Sequence, residues 1–278
     1  MTALKAMNAG RGRLSAYAVH HDPSGPRIRF GVAWMIVLVV AFAIGPLAMA
    51  LLLAVAGGAA ALQLGGAWRR IDGSVNQIVA GGGAAVLPLA AWFNNSVAGI
   101  AVLVFAVVAL VLGPDLANPF AKRADDEAAE PLAIPERLTA AGLTLRCGLF
   151  VGVALLAAVQ IQRETSTVLL FFVVAVSVYD AGHFLVGADA RTAIAGPVAG
   201  AIGVLVWSVA MWQYEPEPLV GGQTLWFGLL IALAAPAGEL FASWLLPSAT
   251  AGAPALRRID SWLLAAPLFL GSLWLFTG

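Results

Sequence analysis

Long apolar segments separated by short polar ones run along nearly the whole chain. A helix needs about 20 predominantly apolar residues to cross the hydrocarbon core of a bilayer. Segments of about this length occur at 30–44, 46–66, 76–93, 96–113, 138–161, 166–187, 192–213, 223–246 and 259–277. Only Gly45-Pro46, a helix-breaking pair, separates the first two. We therefore expect an all-α, polytopic integral membrane protein with about nine transmembrane helices.

The composition supports this class and excludes others. Hydrophobic residues make up 61% of the chain and charged residues 11%, unlike an average soluble domain. The formal net charge is zero, and no basic stripe follows a helix face, so we expect no nucleic-acid partner. The chain has a single cysteine, Cys147, so it cannot form an intramolecular disulfide. Cys147 lies within the fifth apolar segment, which indicates no redox role.

The positions of Lys and Arg predict the orientation, because these residues accumulate in cytoplasmic loops. With nine helices and a cytoplasmic amino terminus, Arg146 falls within the fifth helix and Arg163 on the opposite side. The other thirteen of the fifteen basic residues then lie in the cytoplasm. Merging the first two segments would put basic residues on both faces. We expect a multi-pass protein of the plasma (inner) membrane with its carboxyl terminus outside.

Two polar regions divide the chain. Residues 1–29 form a polar cytoplasmic amino-terminal segment, and we expect no cleavable signal peptide there. Residues 114–137 contain several prolines and an acidic cluster, typical of a partly disordered cytoplasmic linker. The linker would separate a four-helix membrane half, 30–113, from a five-helix half, 138–278, that carries the candidate site.

Three acidic residues of the carboxyl half, Asp180, Glu239 and Asp260, stand within or at the mouth of apolar segments. A charge at the centre of a membrane helix costs about 2.5 to 3.5 kcal/mol on insertion scales, so such residues usually face a polar cavity or a partner. Asp180 and Glu239 each precede a predicted cytoplasmic helix end by seven residues, about 10 Å. Asp260 opens the ninth helix at the same surface. Carboxylates are ligands that Mg²⁺ prefers.

Basic residues are expected at this surface too. Arg191, Arg257 and Arg258 lie in the adjoining cytoplasmic loops, and arginine can bind phosphate through two parallel hydrogen bonds. The alternative is that they only anchor the helices on the cytoplasmic side. His183 follows Asp180 by three residues, on the same helix face, so it is a candidate phosphate contact or a structural histidine.

The acids also have simpler explanations. Asp180 could be hydrogen-bonded to a neighbouring helix, Glu239 could reach the lipid headgroups, and Asp260 would be favoured by the dipole of the ninth helix. Glycines spaced as G-x-x-x-G in an apolar segment usually let helix backbones approach each other. We expect this role for Gly196, Gly200 and Gly203.

Four segments of the carboxyl half resemble a known family. They are 177–187 (SVYDAGHFLVG), 200–203 (GAIG), 238–243 (GELFAS) and 256–261 (LRRIDS). In the same order, they resemble the motifs S-D-T-G-A-Y-x-x-G, E-G-A-I-G, G-D-L-x-E-S and L-D-R-I-D-S of the phosphatidate cytidylyltransferases, or CDP-diacylglycerol synthases. The resemblance covers roughly residues 166–278, and nine helices suit this family.

The resemblance implies an enzyme that needs Mg²⁺ and transfers CMP from CTP to phosphatidic acid or a related lipid phosphate. The products are a CDP-lipid and pyrophosphate. It implies that the metal ligands and catalytic residues are Asp180, Glu239 and Asp260. The residues that contact the substrates would be His183, Arg191, Arg257 and Arg258. The partners are then CTP, an anionic lipid phosphate and the membrane, with a homodimer as the family's assembly.

Departures from the motifs leave other hypotheses open. The family's S-P-K-K-T-x-E-G reads AIAGPVAG at 193–200, its G-H-G-G reads AGAP at 251–254, and Arg257 replaces the first aspartate of the last motif. A catalytically inactive relative, serving as a membrane assembly or lipid-binding partner, would fit these changes. A transporter is the third hypothesis, and it would need polar groups near the midplane and broken helices in corresponding halves.

Overall fold

The computed structural model describes residues 26–71, 75–113, 134–188, 190, 192–214, 217–248 and 251–277. These residues form nine α-helices and one short 3₁₀-helix, Leu256–Arg258. The α-helices are α1 (Pro26–Ile44), α2 (Pro46–Arg69), α3 (Gln77–Phe93), α4 (Asn95–Leu112), α5 (Ile134–Glu164), α6 (Ser166–Gly187), α7 (Ala195–Trp212), α8 (Gln223–Leu245) and α9 (Trp262–Thr277). Each of the nine predicted segments thus overlaps one α-helix.

Local chemistry explains where several helices begin. Gly45 separates α1 from α2 with φ of 129°, a backbone conformation that favours glycine, and Pro46 starts α2. The side chains of Asn76, Asn94 and Thr165 each accept a hydrogen bond from the first turn of the following helix. Such caps satisfy backbone N–H groups that have no partner within the helix.

Six of the helices are long and apolar enough to cross a membrane: α2, α4, α5, α6, α7 and α8. Three shorter apolar helices cover Gly31–Ile44, Gln77–Phe93 and Trp262–Phe276. Large apolar side chains of α4, among them Leu103 and Val107, are exposed, as expected where a helix faces lipid rather than water. The chain is an all-helical, multi-pass membrane protein.

The helices belong to two compact units. The first, called here the α2–α5 unit, comprises residues 44–160 and 244–259. Within it, glycines allow α2, α3, α4 and α5 to approach closely. A Cβ atom on Gly81 would lie 3.2 Å from the carbonyl oxygen of Gly58, and one on Gly83 or Gly148 would overlap the ring of Phe105. Small residues therefore provide the packing surface of this unit.

The second unit, called here the α6–α9 unit, comprises the described residues within 26–43, 161–243 and 260–277. The rings of Phe172 and Phe227 both pack on Phe269, with centroid distances of 5.3 and 4.4 Å. α6 and α7 approach at Gly182 and Gly200, where a Cβ on the first would be 3.0 Å from the Cα of the second. All four polar segments that resemble the family motifs include residues of this unit.

The predicted linker and amino-terminal segment lie mostly outside the described residues. The exceptions are 134–137, which form the start of α5, and 26–29, which form the start of α1. The helix α5 begins at Ile134, so the last four residues of the predicted linker are helical. Thr139, one turn after Pro135, donates its hydroxyl hydrogen bond to the Pro135 carbonyl oxygen at 2.9 Å. The division into two membrane halves stays a prediction.

Candidate functional site

The carboxyl group of Glu239 on α8 is held by two side chains of α6. The buried Tyr179 donates its hydroxyl hydrogen bond to Oε2 of Glu239 at 3.0 Å. Nδ1 of His183 lies 2.6 Å from Oε1 and donates to it. Tyr179 and His183 are four residues apart, so they stand one above the other on the same helix face. Each oxygen of Glu239 thus has a donor from α6.

Asp260 approaches this network from the segment before α9. Its carboxylate is close enough to the side chains of Tyr179 and His183 to interact with both electrostatically. Oδ1 also accepts a hydrogen bond from the backbone N–H of Ser261 at 3.0 Å. The expectation that Asp260 lies in the first turn of the ninth helix needs a small correction, because α9 begins at Trp262.

Asp180 follows Tyr179 on α6 and is exposed. Its carboxylate interacts electrostatically with the side chain of Tyr179, as do those of Glu239 and Asp260. Of the three acids singled out in the sequence, Glu239 accepts the hydrogen bond of the tyrosine hydroxyl, while Asp180 and Asp260 act on Tyr179 through electrostatic interaction. The three acids come from α6, α8 and the segment before α9, which are far apart in the chain.

Glycines place the tyrosine and histidine. A Cβ atom on Gly196 of α7 would be 2.3 Å from Cδ2 of His183, and one on Gly200 would be 2.6 Å from the carbonyl oxygen of Tyr179. A Cβ on Gly203 would be 3.0 Å from Cγ1 of Val178. The prediction that these three glycines serve close helix packing is confirmed. They hold the face of α6 that carries the site against α7.

The basic candidates differ in what the structure says of them. Arg257 and Arg258 end the 3₁₀-helix, are half-buried and directly precede the segment that carries Asp260. Arg191 lies outside the described residues. The ring of His183 is hydrogen-bonded to Glu239 of α8, a contact that helical spacing alone does not predict.

Sequence reasoning missed Tyr179 altogether. Its side chain has no exposed surface, and its ring centroid lies 5.8 Å from that of His183. The available signal was the spacing of four between a tyrosine and a histidine in an otherwise apolar helix, which places two polar groups on one face. A buried tyrosine hydroxyl normally needs a hydrogen-bond acceptor, which Glu239 supplies.

The donor set can be tested against the implied Mg²⁺. Among the described residues, no group of three or more His, Cys, Asp or Glu side chains is arranged to hold a metal ion. Mg²⁺, however, commonly uses one or two carboxylates together with water and substrate phosphates. Asp180 and Asp260 supply oxygen donors of this type, and the buried Oγ of Ser261, which has no hydrogen-bond partner within the described chain, is a further oxygen at the site. Asp180 and Asp260 are therefore the residues that would hold such an ion.

No family model, curated protein or solved structure matches this chain. Function is therefore argued from the chemistry of the site and from the motif resemblance. The site is a cluster of carboxylates and a histidine near the carboxyl ends of α6 and α8. Carboxylates of this kind can hold a cation that bridges phosphate groups.

Proposed function

We propose that this protein is a membrane cytidylyltransferase that transfers CMP from CTP to phosphatidic acid or a related lipid phosphate. One observation carries the proposal: Asp180, Glu239 and Asp260, on three separate elements of the α6–α9 unit, all interact electrostatically with Tyr179. Carboxylates are costly to place in a membrane protein, and a ligand that needs them would explain why three lie in this unit.

In this proposal Asp180 and Asp260 hold Mg²⁺, which when bound would neutralise negative charge on the nucleotide phosphates. Glu239 is proposed as a third ligand in the catalytic state. The oxygens of Glu239 are hydrogen-bonded to Tyr179 and His183, so these side chains determine where its carboxylate lies.

The chain's own groups would then position the reactants. A phosphate oxygen of the lipid attacks the α-phosphorus of CTP, a new P–O bond forms, and the bond to the departing pyrophosphate breaks. Arg257 and Arg258 would bind phosphate oxygens and replace the family's lysine pair, with Arg191 as a third proposed contact. His183, oriented by Glu239, would donate to a phosphate oxygen. Preorganised donors of this kind stabilise the charge that develops during transfer.

The proposal includes a topology. Nine spans with a cytoplasmic amino terminus would put the carboxyl ends of α6 and α8, and with them the site, on the cytoplasmic side of the inner membrane. CTP would then enter from the cytoplasm and the lipid phosphate from the inner leaflet. A homodimer is proposed on the motif resemblance alone.

A second candidate function is supported by the state of Glu239. Both of its oxygens already have donors from α6, and a carboxylate held in this way can serve fold stability without a metal. The chain would then be a catalytically inactive relative that binds an anionic lipid or assembles with another membrane protein. Arg257, at the position of an aspartate in the family's last motif, favours the same alternative.

One assay separates the two candidates. The purified protein in liposomes receives radiolabelled CTP, Mg²⁺ and phosphatidic acid, and thin-layer chromatography follows the label. The enzyme proposal predicts a labelled CDP-lipid that EDTA abolishes and added Mg²⁺ restores. Lack of product with several acidic lipids, from protein that still binds them, would support the inactive relative.

A further inference from the structure

Arg146 of α5 lies between two tryptophan rings in the α2–α5 unit. Its guanidinium carbon is 4.0 Å from the ring centroid of Trp244 and 5.2 Å from that of Trp68. Nη2 donates a hydrogen bond to the carbonyl oxygen of Trp244, and Nε1 of Trp68 donates to that of Leu245 at 2.7 Å. The arginine is thereby fixed against the last residues of α2 and α8.

The charge of Arg146 is not balanced by this arrangement. A guanidinium stays protonated in proteins and carries five N–H donors. Within the described residues, no carboxylate pairs with it, one nitrogen donates to a carbonyl oxygen, and the buried Nε has no hydrogen-bond partner. Stacking on tryptophan contributes on the order of 1 to 2 kcal/mol. It leaves the remaining donors without an acceptor.

The position of Arg146 along α5 indicates where its ligand would be. α5 has 31 residues, roughly 46 Å at 1.5 Å per residue, so it is longer than the hydrocarbon core of about 30 Å. Arg146 is level with Trp68 and Trp244, which stand at the ends of α2 and α8. Helix ends that carry tryptophan typically lie at the membrane interface, where lipid headgroups are.

A cleft occurs in the same part of the unit. It has a volume of about 190 Å³ and is lined by residues that include Ala67 and Arg70 of the α2 end and Pro247 and Ser248 after α8. Ala67 adjoins Trp68, and Pro247 follows Leu245 by two residues. Arg70 adds a second, exposed cation. The cleft therefore places an exposed cation beside the chain segments that carry Trp68 and Trp244.

We propose that Arg146, with Arg70, forms a binding site for the phosphate group of an anionic membrane lipid. The geometry favours phosphate because arginine offers a planar fork of N–H groups to its oxygens. It favours a lipid because the site lies among tryptophans at helix ends. This site belongs to the α2–α5 unit and is independent of the proposed cytidylyl transfer, since none of its residues belongs to the candidate site in the α6–α9 unit.

Native mass spectrometry of the full chain tests the proposal. The protein is released from nanodiscs of phosphatidylcholine that contain increasing phosphatidylglycerol, and retained lipids are counted for unmodified protein, Arg146→Gln and Arg163→Gln. Arg163, an exposed arginine at the other end of α5, is the matched control. Loss of a charge-assisted hydrogen bond should weaken phosphatidylglycerol retention about tenfold or more in Arg146→Gln and leave Arg163→Gln unchanged. Equal retention in all three proteins would overturn the proposal.

A second arm distinguishes the source of the phosphate. Inorganic phosphate is added to protein in pure phosphatidylcholine nanodiscs and, separately, to protein loaded with phosphatidylglycerol. Failure of free phosphate to displace the lipid supports a lipid headgroup site. If free phosphate displaces the lipid from the unmodified protein but not from Arg146→Gln, Arg146 still binds phosphate, and its ligand is a soluble one. Displacement identical in Arg146→Gln would contradict both.

A measurement on the unmodified chain covers the case in which Arg146→Gln fails to fold. Phenylglyoxal modifies accessible arginines, and peptide mass mapping reports each one. We expect phosphatidylglycerol nanodiscs to protect Arg146 and Arg70 relative to pure phosphatidylcholine, while Arg163 reacts equally in both. Equal modification of Arg146 in the two lipids would contradict the proposal without any substitution.

Discussion

The backbone of Gly238 lies directly against that of Asp260: a Cβ atom at position 238 would be 2.5 Å from the carbonyl oxygen of Asp260. It would also be 3.2 Å from that of Ser261. The residue next to Gly238 is Glu239, whose carboxylate contacts Tyr179 and His183. Because Gly238 has no side chain, the segment before α9 can lie against α8 beside Glu239. Glu239 and Asp260 consequently lie on backbone segments that touch each other.

Gly238→Ala should therefore destabilise the α6–α9 unit. The new methyl group would meet backbone rather than a flexible side chain, and overpacking of this kind typically costs about 1 to 3 kcal/mol. Thermal unfolding of the detergent-solubilised protein measures the effect. Gly271→Ala in α9 is the control, because a Cβ there has no neighbour within 4 Å. Equal unfolding temperatures for the two variants would contradict the close contact.

Tyr179→Phe should also lower stability, since it removes the hydroxyl that donates to Glu239. A hydrogen bond to a charged group contributes about 1.5 to 3 kcal/mol. Unfolding in a mixed-micelle titration with denaturing detergent gives the difference in free energy. Tyr214→Phe is the matched control, because Tyr214 is 77% exposed. A Tyr179→Phe protein as stable as this control would show that the hydroxyl does not hold Glu239.

The contact between His183 and Glu239 predicts coupling between substitutions at the two positions. His183→Ala and Glu239→Ala should each destabilise the protein, while the double variant should lose less than the sum, with a coupling of about 0.5 to 3 kcal/mol. The same unfolding titration is carried out on the unmodified protein, the two single variants and the double variant, which together form a double-mutant cycle. Combining His183→Ala with the distant Glu164→Ala, at an exposed end of α5, should give additive losses. Additivity for the first pair would argue against the contact.

The proposed topology predicts which loops a membrane-impermeant maleimide can reach. In a Cys147→Ser background, Glu217→Cys lies in the loop before α8 and Gly252→Cys in the loop before α9, and both positions are exposed. In intact cells the maleimide should label Glu217→Cys. It should label Gly252→Cys only after the cells are permeabilised. Labelling of Gly252→Cys in intact cells would contradict a cytoplasmic site.

The helix positions follow from the sequence because a membrane helix requires a continuous apolar segment. The position and length of each apolar segment therefore predict a helix. The predicted bounds of α6, 166–187, coincide with the structure. Helix starts also follow from local chemistry, as at Asn76 and Asn94, whose side chains cap the next turn. The start of α5 differed because a polar segment with prolines gives no hydropathy signal for a helix that extends beyond the bilayer.

The contacts within the site were less predictable. The acids could be singled out because charge is costly in a membrane, yet the sequence does not say which faces of α6 and α8 meet. His183 was grouped with Asp180 on helical spacing, whereas tertiary packing pairs it with Glu239. The same limit applies to Arg146, since the sequence does not show that Trp68 and Trp244 flank its guanidinium.

The rate of CDP-lipid formation by variants of Asp180 and Asp260 tests the proposed cytidylyl transfer most directly. Asp180→Asn and Asp260→Asn keep the side-chain size and remove the charge. With CTP, phosphatidic acid and Mg²⁺, we predict that each lowers the rate at least about 100-fold, the typical cost of losing one preorganised electrostatic group. Glu164→Gln, outside the site, should keep the unmodified rate. Formation of CDP-lipid by both asparagine variants at the unmodified rate, or none by the unmodified protein, would contradict the account.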